Sequence, residues 1–236
     1  MIVFSKPLTK ATLIRRYKRF LADAALNDGT VVTAHCPNTG SMNTCGAPQD
    51  TIYLLHSDDK KRKLSYTWEL TETEGGFIGI NTHRPNRIVE DAIARDAIPE
   101  LLGYANMKRE VKYGTNSKID LLLTDPEKKP CYVEIKNVTL LEGPALMFPD
   151  AVSVRAQKHL KELEKVAQQG KRSVIFFLCN RPEGKYVDAA KHIDPKYAEA
   201  LDRAISNGVE AICYRVDANL KRLTIGESVP IKITKD

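Results

Sequence analysis

The sequence lacks any apolar run close to the roughly 18–20 residues that a helix needs to cross a bilayer. Its first stretch, MIVFSKPLTKATLIRRYKRF, has neither the basic-then-apolar order nor the small-residue cleavage site of a secretory signal. We therefore expect a cytoplasmic protein that does not bind membranes. The 236 residues are 42% hydrophobic and 28% charged, which suits one large globular domain or two modest ones.

Cysteine pairs and nucleotide-binding loops are also missing. The five cysteines are odd in number and contain no C-x-x-C, which predicts reduced thiols that act as small hydrophobic side chains. Neither G-x-x-x-x-G-K-[ST] nor G-x-G-x-x-G occurs, and no Ser/His/Asp or Cys/His constellation is legible. We therefore expect no nucleotide cofactor.

Acidic residues are absent from the first 22 positions, although the net charge is only +6. Six basic residues lie there, and Tyr17 and Phe20 interleave with four of them. Cations beside aromatic rings are typical of proteins that bind nucleic-acid backbones, while a solvated basic strand with two core aromatics is the alternative. The predicted nucleic-acid contacts, with DNA or RNA as the partner, are Arg15, Arg16, Lys18 and Arg19.

Turn signals divide the chain into residues 1–82 and 83–236. The first part has five or so short strand candidates, with a hairpin signal at Asn27-Asp28-Gly29 and further punctuation by glycine and proline. This pattern predicts a small β-barrel or sandwich.

The second part alternates helical and strand patterns. A helix is expected from Pro85, two strands are expected at KIDLLLT and CYVEIKNVTL, and helices are expected at AQKHLKELEKVAQQG and after Asp194-Pro195. SVIFFLC has the composition of a buried central strand. The expected class is α/β (α+β), with a mixed sheet flanked by helices.

Two strands of the second part carry charges within apolar surroundings. Asp120 interrupts one of them, and Glu134 and Lys136 share a face of the next, because side chains alternate along a strand. Two carboxylates without thiolate or imidazole suit Mg²⁺ or Mn²⁺, and a neighbouring lysine can stabilise phosphoryl charge. The alternative is an ordinary ion pair on an exposed strand.

Other candidates lie on the predicted helices. Glu90 and Asp91 are about equally far from the apolar stripe of the first helix, so either can join a metal site. Gln157 opens the next helix, where the helix dipole favours phosphate. We expect His159 to be an exposed helix residue.

Several segments together resemble the sugar fermentation stimulation protein family; they are LIRRYKRFLAD, TAHCPNTGSM, YTWELTE, INTHRPNR, EVKYG, KIDLLLT, CYVEIKNVTL, FPDAVSVRAQKHLKEL and VIFFL. The resemblance implies an N-terminal OB-like β-barrel followed by a PD-(D/E)xK nuclease-like domain. It places the nuclease motif on Asp120, Glu134 and Lys136. The helix acid falls on Glu90 or Asp91, and a downstream glutamine falls on Gln157. Val154 and Ala156 stand where members often carry an acidic residue and a glycine.

The resemblance also implies DNA binding and a link to the regulation of sugar catabolic genes, maltose genes among them. Three hypotheses follow for the function: a Mg²⁺- or Mn²⁺-dependent nuclease, a DNA-binding regulator that retains the nuclease fold, and a structural module. The site predicted for the nuclease has Asp120, Glu134, Lys136 and Gln157 as catalytic residues. Its metal ligands are Asp120, Glu134 and Glu90.

Overall fold

The computed structural model describes residues 1–114 and 117–232 of the chain. The first part of the chain is built from seven strands: β1 Ile2–Val3, β2 Thr9–Tyr17, β3 Leu21–Leu26, β4 Val31–His35, β5 Thr51–His56, β6 Tyr66–Thr73 and β7 Gly76–Gly79. In the described part of the chain, no helix is both long and apolar enough to span a membrane.

Strands β2 to β6 form a closed barrel. They are hydrogen-bonded in the order β4-β3-β2-β5-β6, and a parallel pairing of β4 with β6 closes the ring, while β7 extends the sheet beside β6. The fully buried Trp68 lies in the barrel core with Leu13, Ile52 and Leu54. The expected OB-like β-barrel is therefore confirmed.

The second part contains the three expected helices, α1 Pro85–Ala94, α2 Val154–Gln168 and α3 Pro195–Ser206, with a short 3₁₀ turn at Pro99–Leu101. Its strands are β8 Asn106–Tyr113, β9 Ser117–Asp125, β10 Lys128–Val138, β11 Leu140–Glu142, β12 Ala145–Phe148, β13 Arg172–Cys179, β14 Tyr186–Ala189, β15 Glu210–Ala218 and β16 Arg222–Ser228. Asp194 caps α3 by accepting a hydrogen bond from the backbone nitrogen of Tyr197 at 3.0 Å.

A seven-stranded mixed sheet forms the centre of this part, in the order β1-β16-β15-β13-β10-β9-β8. Strands β10, β13 and β15 run parallel, and the remaining pairings are antiparallel. Helix α1 packs on one face through Ile88 and Val89, while α2 and α3 pack on the other through Leu160, Leu163 and Leu201. The expected mixed sheet flanked by helices is confirmed, with β13 as its buried central strand.

Several strands were not predicted from the sequence. The short strands β11, β12 and β14 form a separate three-stranded sheet, and β8 and β16 extend the large one. The first strand of the chain, β1, pairs with β16 of the large sheet although the barrel follows it in sequence. A two-residue strand carries too little periodicity to be recognised from its pattern.

The barrel and the large sheet are joined by buried polar contacts. Arg84, just before α1, forms an ion pair with the buried Glu69 of β6 at 2.6 Å. The guanidinium of Arg181 donates to the Thr44 hydroxyl at 3.0 Å and to the Thr139 carbonyl at 2.8 Å, which lie in the two different parts. These groups are directional, so they fix the barrel in one orientation.

Replacing Arg181 tests this junction. Arg181→Ala removes a buried guanidinium that bridges Thr44 and Thr139, and it leaves a void at the junction, so we expect the melting temperature to fall by about 5–10 °C. Arg203→Ala is the matched control, because Arg203 pairs with Glu164 on the surface and such pairs contribute little. Equal melting temperatures for the two variants would contradict the structural role of Arg181.

Candidate active site

The alternation expected along β10 is present. Val133 and Ile135 face the core beneath α1, whereas Glu134 and Lys136 face α2. Both charged side chains are buried, with Glu134 only 2% and Lys136 only 8% exposed. A carboxylate and an ammonium group at this depth need defined partners, so an ordinary solvated pair is excluded.

Strand β9 departs from regular alternation at Asp120. Leu121 and Leu123 pack in the core beneath α1, but Ile119 packs in the core beneath α2 and α3. On the neighbouring strand β8, Glu110 lies opposite Asp120 in the register and has a φ of 52°, which is rare for a residue with a side chain. The irregularity turns Asp120 out of the ladder and frees its carboxylate for other contacts.

The Asp120 carboxylate lies where β9 and β10 separate. Register pairing between these strands ends at Val133 and Leu121, and one carboxylate oxygen then accepts a hydrogen bond from the Ile135 backbone nitrogen at 2.7 Å. The other oxygen accepts from the Asn86 amide of α1 at 2.8 Å. Burial, followed by the negative charge of Glu134, raises the pKa of Asp120.

Glu134 forms a buried cluster with Lys136 and His159. Lys136 Nζ donates to Glu134 Oε1 at 2.8 Å and lies 3.3 Å from His159 Nδ1, which also contacts Glu134 Oε1. Arg155 Nε approaches His159 Nε2 at 3.5 Å, which suits the tautomer with its hydrogen on Nδ1. Burial alone raises the pKa of Glu134, but Lys136 and His159 outweigh it and the net effect lowers the pKa.

The second oxygen of Glu134, Oε2, is buried and has no hydrogen-bond partner among the residues that the structure describes. An orphaned carboxylate oxygen beside a second carboxylate is the donor set that a hard divalent ion uses. Within residues 1–114 and 117–232, no three His, Cys, Asp or Glu side chains are already clustered as metal ligands. The residues fit a site with two protein carboxylates, completed by other oxygen atoms such as backbone carbonyls or phosphate.

The two acids of α1 point in different directions. Glu90 lies one turn after Asn86 on the same face and its carboxylate is 3.5 Å from Arg109 of β8, at the edge of the sheet next to Asp120. Asp91 pairs with Arg95 and with the N-terminus, at the opposite edge. The geometry therefore favours Glu90 as the helix acid, and its binding of a metal stays a prediction.

Gln157 is directed to the N-terminus of α3. Its amide nitrogen donates to both carboxylate oxygens of Asp194, at 2.8 and 3.1 Å. The α2 residue that reaches Glu134 is His159, which is 6% exposed, so the expectation of an exposed histidine was wrong. A catalytic part for Gln157 stays a prediction.

The predicted nucleic-acid contacts fall into two groups. Arg15 pairs with Asp23 at 2.8 Å and lies over the Tyr17 ring, and Arg16 donates to the carbonyls of residues 19, 38, 40 and 41. Lys18 and Arg19 form the exposed tip of the β2–β3 hairpin, both with positive φ. Exposed Phe20 completes this tip, which we call the hairpin tip, Lys18–Phe20.

Two residues of the site were missed from the sequence. His159 belongs to the same helical face as Leu163 and Val166, at spacings of four and seven, so the periodicity of α2 was the signal that could have found it. Asn86 carries no charge and stands out by no pattern. Its contact with Asp120 depends on how α1 packs across the sheet.

Family comparisons agree with this two-part architecture. A family profile described as SfsA N-terminal OB domain matches residues 14–80, and one described as Sugar fermentation stimulation protein RE domain matches residues 83–222. The chain belongs to the sugar fermentation stimulation protein family, as the resemblance of its motifs implied.

Similar proteins match over nearly the whole chain. A sugar fermentation stimulation protein homolog of Geobacter sulfurreducens is 50% identical over 98% of both chains, and one of Geotalea uraniireducens is 50% identical over 96% of this chain and 98% of its own. A solved structure described as Pyrococcus furiosus SfsA in complex with Ca²⁺ has a TM-score of 0.88 and 30% identity, and covers 98% of both chains.

The lowered pKa of Glu134 predicts a pH-dependent stability. Its ionised form stabilises the fold above the ordinary value of 4.5, and this contribution is lost as the pH falls through the lower folded-state pKa. At pH 7 we expect Glu134→Gln to destabilise by about 3 kcal/mol, because Lys136 loses its charged partner. Thermal melts should show the difference from wild type shrinking as the pH falls below 4.5.

The matched control is Glu142→Gln, which removes an exposed carboxylate paired with His192 and should change stability by less than about 1 kcal/mol. A gap between wild type and Glu134→Gln that stays constant from pH 7 to about pH 3 contradicts the lowered pKa.

Proposed function

We propose that this protein is a divalent-metal-dependent phosphodiesterase that acts on nucleic acid. The observation that carries the proposal is Glu134 Oε2, which has no partner among the described residues. The other oxygen of this carboxylate accepts from Lys136, and the next residue, Ile135, donates its backbone N–H to the Asp120 carboxylate. Two ionisable acids and a lysine at the point where two strands separate are what metal-assisted phosphodiester hydrolysis requires.

Mg²⁺ or Mn²⁺ would be held by Asp120 and Glu134, and Glu90 of α1 is the third ligand that we propose. A bound divalent ion supplies Lewis-acid polarisation of the phosphoryl oxygen and a water molecule of lowered pKa. The Ca²⁺ in the Pyrococcus furiosus relative supports a hard-cation site in this family.

The side chains around Glu134 have separable roles. Lys136 is the cation positioned to stabilise negative charge that develops on the phosphate and to orient the attacking water. His159 fixes the orientation of Glu134 and so acts as a positioning residue. Asn86 does the same for Asp120, because its amide holds one carboxylate oxygen while the Ile135 backbone nitrogen holds the other.

Nucleic acid is the substrate class that the charge distribution supports. The hairpin tip presents two cations and an exposed aromatic ring, and the edge strand β8 carries exposed Lys108, Arg109 and Lys112 near Asp120. Positive charge on the barrel as well as on β8 suits a polyanion longer than one nucleotide. DNA is the partner we favour, and the family name supports a link to the regulation of sugar catabolism.

A regulator that binds DNA without cleaving it is the second candidate. One specific observation favours it: Glu134 Oε1 is already occupied by Lys136 and His159, so only Oε2 is available to an ion. In that case the cluster is a structural ion pair retained from the nuclease fold.

Substitutions at the candidate site test catalysis, and two neighbouring acids on α1 provide a matched pair for comparison. We expect Mn²⁺- or Mg²⁺-dependent cleavage of labelled DNA or RNA that is abolished by a chelator and reduced at least about 100-fold by Asp120→Asn or Lys136→Met. Glu90→Gln should slow cleavage as well, whereas Asp91→Asn should not, since Asp91 faces the opposite edge. Metal-independent cleavage, or cleavage unchanged in Asp120→Asn, rules out this site.

The hairpin tip predicts a defined salt dependence of binding. Removing two phosphate contacts with Lys18→Ala/Arg19→Ala should flatten the slope of log affinity against log salt by about 1.5. Lys221→Ala/Arg222→Ala removes the same charge from the β15–β16 turn and should leave the slope unchanged. Anisotropy titrations that give equal slopes for both double variants would show that the hairpin tip does not contact the backbone.

A further inference from the structure

A cavity of about 280 Å³ adjoins Lys136 and lies between the two parts of the chain. One wall is the barrel loop Asn38–Thr39–Gly40, and the opposite wall comes from the end of β10 and from β12. Neither part of the chain encloses this space alone. The cavity therefore exists only because the barrel is docked against the large sheet.

The shape of the barrel loop is fixed by charged groups. The Arg16 guanidinium donates to the carbonyls of Asn38 and Gly40 at 2.8 Å and to that of Ser41 at 3.3 Å. From the other part of the chain, Asp150 accepts a hydrogen bond from the Ser41 backbone nitrogen at 2.9 Å. A side chain at Gly40 would collide with the Asp150 carboxylate, so glycine permits this close approach.

The lining combines the chemistry of a nucleobase site and a phosphate site. Ile135, Met147 and Phe148 supply apolar surface, and Phe148 is held by edge-to-face contacts with Phe177 and Tyr197. Asn38 and Asn137 bring side-chain amides, which can pair with base edges. Lys136 lies at the end of the cavity nearest Glu134, where a phosphate would meet the candidate active site.

The volume suits one small occupant. About 280 Å³ lies at the lower end of the range of small-ligand pockets, which begins at about 300 Å³, so the cavity matches one nucleotide better than a stacked base pair. Enzymes that act on one nucleotide accept it unpaired, either from a single strand or turned out of a duplex.

We propose that this cavity is a subsite for one unpaired nucleotide, next to the phosphodiester that Lys136, Glu134 and Asp120 address. The inference rests on the proposed function and specifies its substrate as single-stranded or locally unpaired nucleic acid. Arg16 is a positioning residue of this subsite, because it holds the barrel loop. The same guanidinium binds the Arg19 carbonyl, so the hairpin tip continues the path of the strand away from the cavity.

Thiol labelling at the cavity rim provides the test. Thr39 is exposed at the rim, and the five native cysteines are all free and buried, so Thr39→Cys reacts selectively with a bulky uncharged maleimide. Thr30→Cys is the matched control, since Thr30 is an exposed threonine at the far end of the β3–β4 hairpin. Anisotropy in a chelator then compares a ten-nucleotide single strand, the matching duplex and a duplex with one unpaired nucleotide.

Wild type and Thr30→Cys should bind the single strand and the interrupted duplex about tenfold more tightly than the perfect duplex, and unlabelled Thr39→Cys is the reference for its own labelled form. Labelling at residue 39 should remove this preference, and labelling at residue 30 should not. Equal affinity for the three substrates, or a preference that survives labelling at residue 39, overturns the subsite. If the subsite test fails but the perfect duplex is cleaved with metal, the proposed function stands without the subsite. If none of the three substrates is bound or cleaved, the proposed function and the subsite are both overturned.

Discussion

The buried carboxylate of Glu134 is the constraint on which the site and its surroundings depend. An ionised acid at this depth is stable only with a cation and hydrogen-bond donors nearby. Lys136 meets the first need because two residues along a strand return to the same face. His159 is the nearby hydrogen-bond donor, and it reaches Glu134 only if α2 lies across β10 in one register. The packing of the helix and the charge cluster therefore determine each other.

Asp120 imposes a complementary constraint on the sheet. With regular alternation along β9, the Asp120 carboxylate would lie on the face opposite to Leu121 and Leu123, and therefore away from α1. The break in alternation and the left-handed backbone of Glu110 instead bring it under Asn86. Irregular backbone in an otherwise regular sheet often marks a functional position, and here the irregular residue, Glu110, lies opposite Asp120 in the register.

The three helices and the strands β9, β10 and β13 could be predicted because each leaves a local pattern, and Asp120, Glu134 and Lys136 stand out as candidates for the same reason. Charged residues in apolar strands are conspicuous, and caps and glycine stops delimit the helices. Arg16 shows where this fails. Its position among basic residues suggested an exposed phosphate contact, yet the guanidinium binds backbone carbonyls up to 25 residues away. Long-range contacts of this kind, like those of Asn86 and Gln157, depend on how elements distant in sequence pack together, which no local pattern encodes.

The position of β1 has a mechanical consequence. The barrel is preceded in the chain by a strand that pairs with β16 and followed by α1, which packs on the same sheet, so it is attached at both ends. A domain held at one end can swing about a single hinge, but two attachments allow only small rocking movements. The arrangement of barrel and large sheet that encloses the cavity is therefore held from both ends of the barrel.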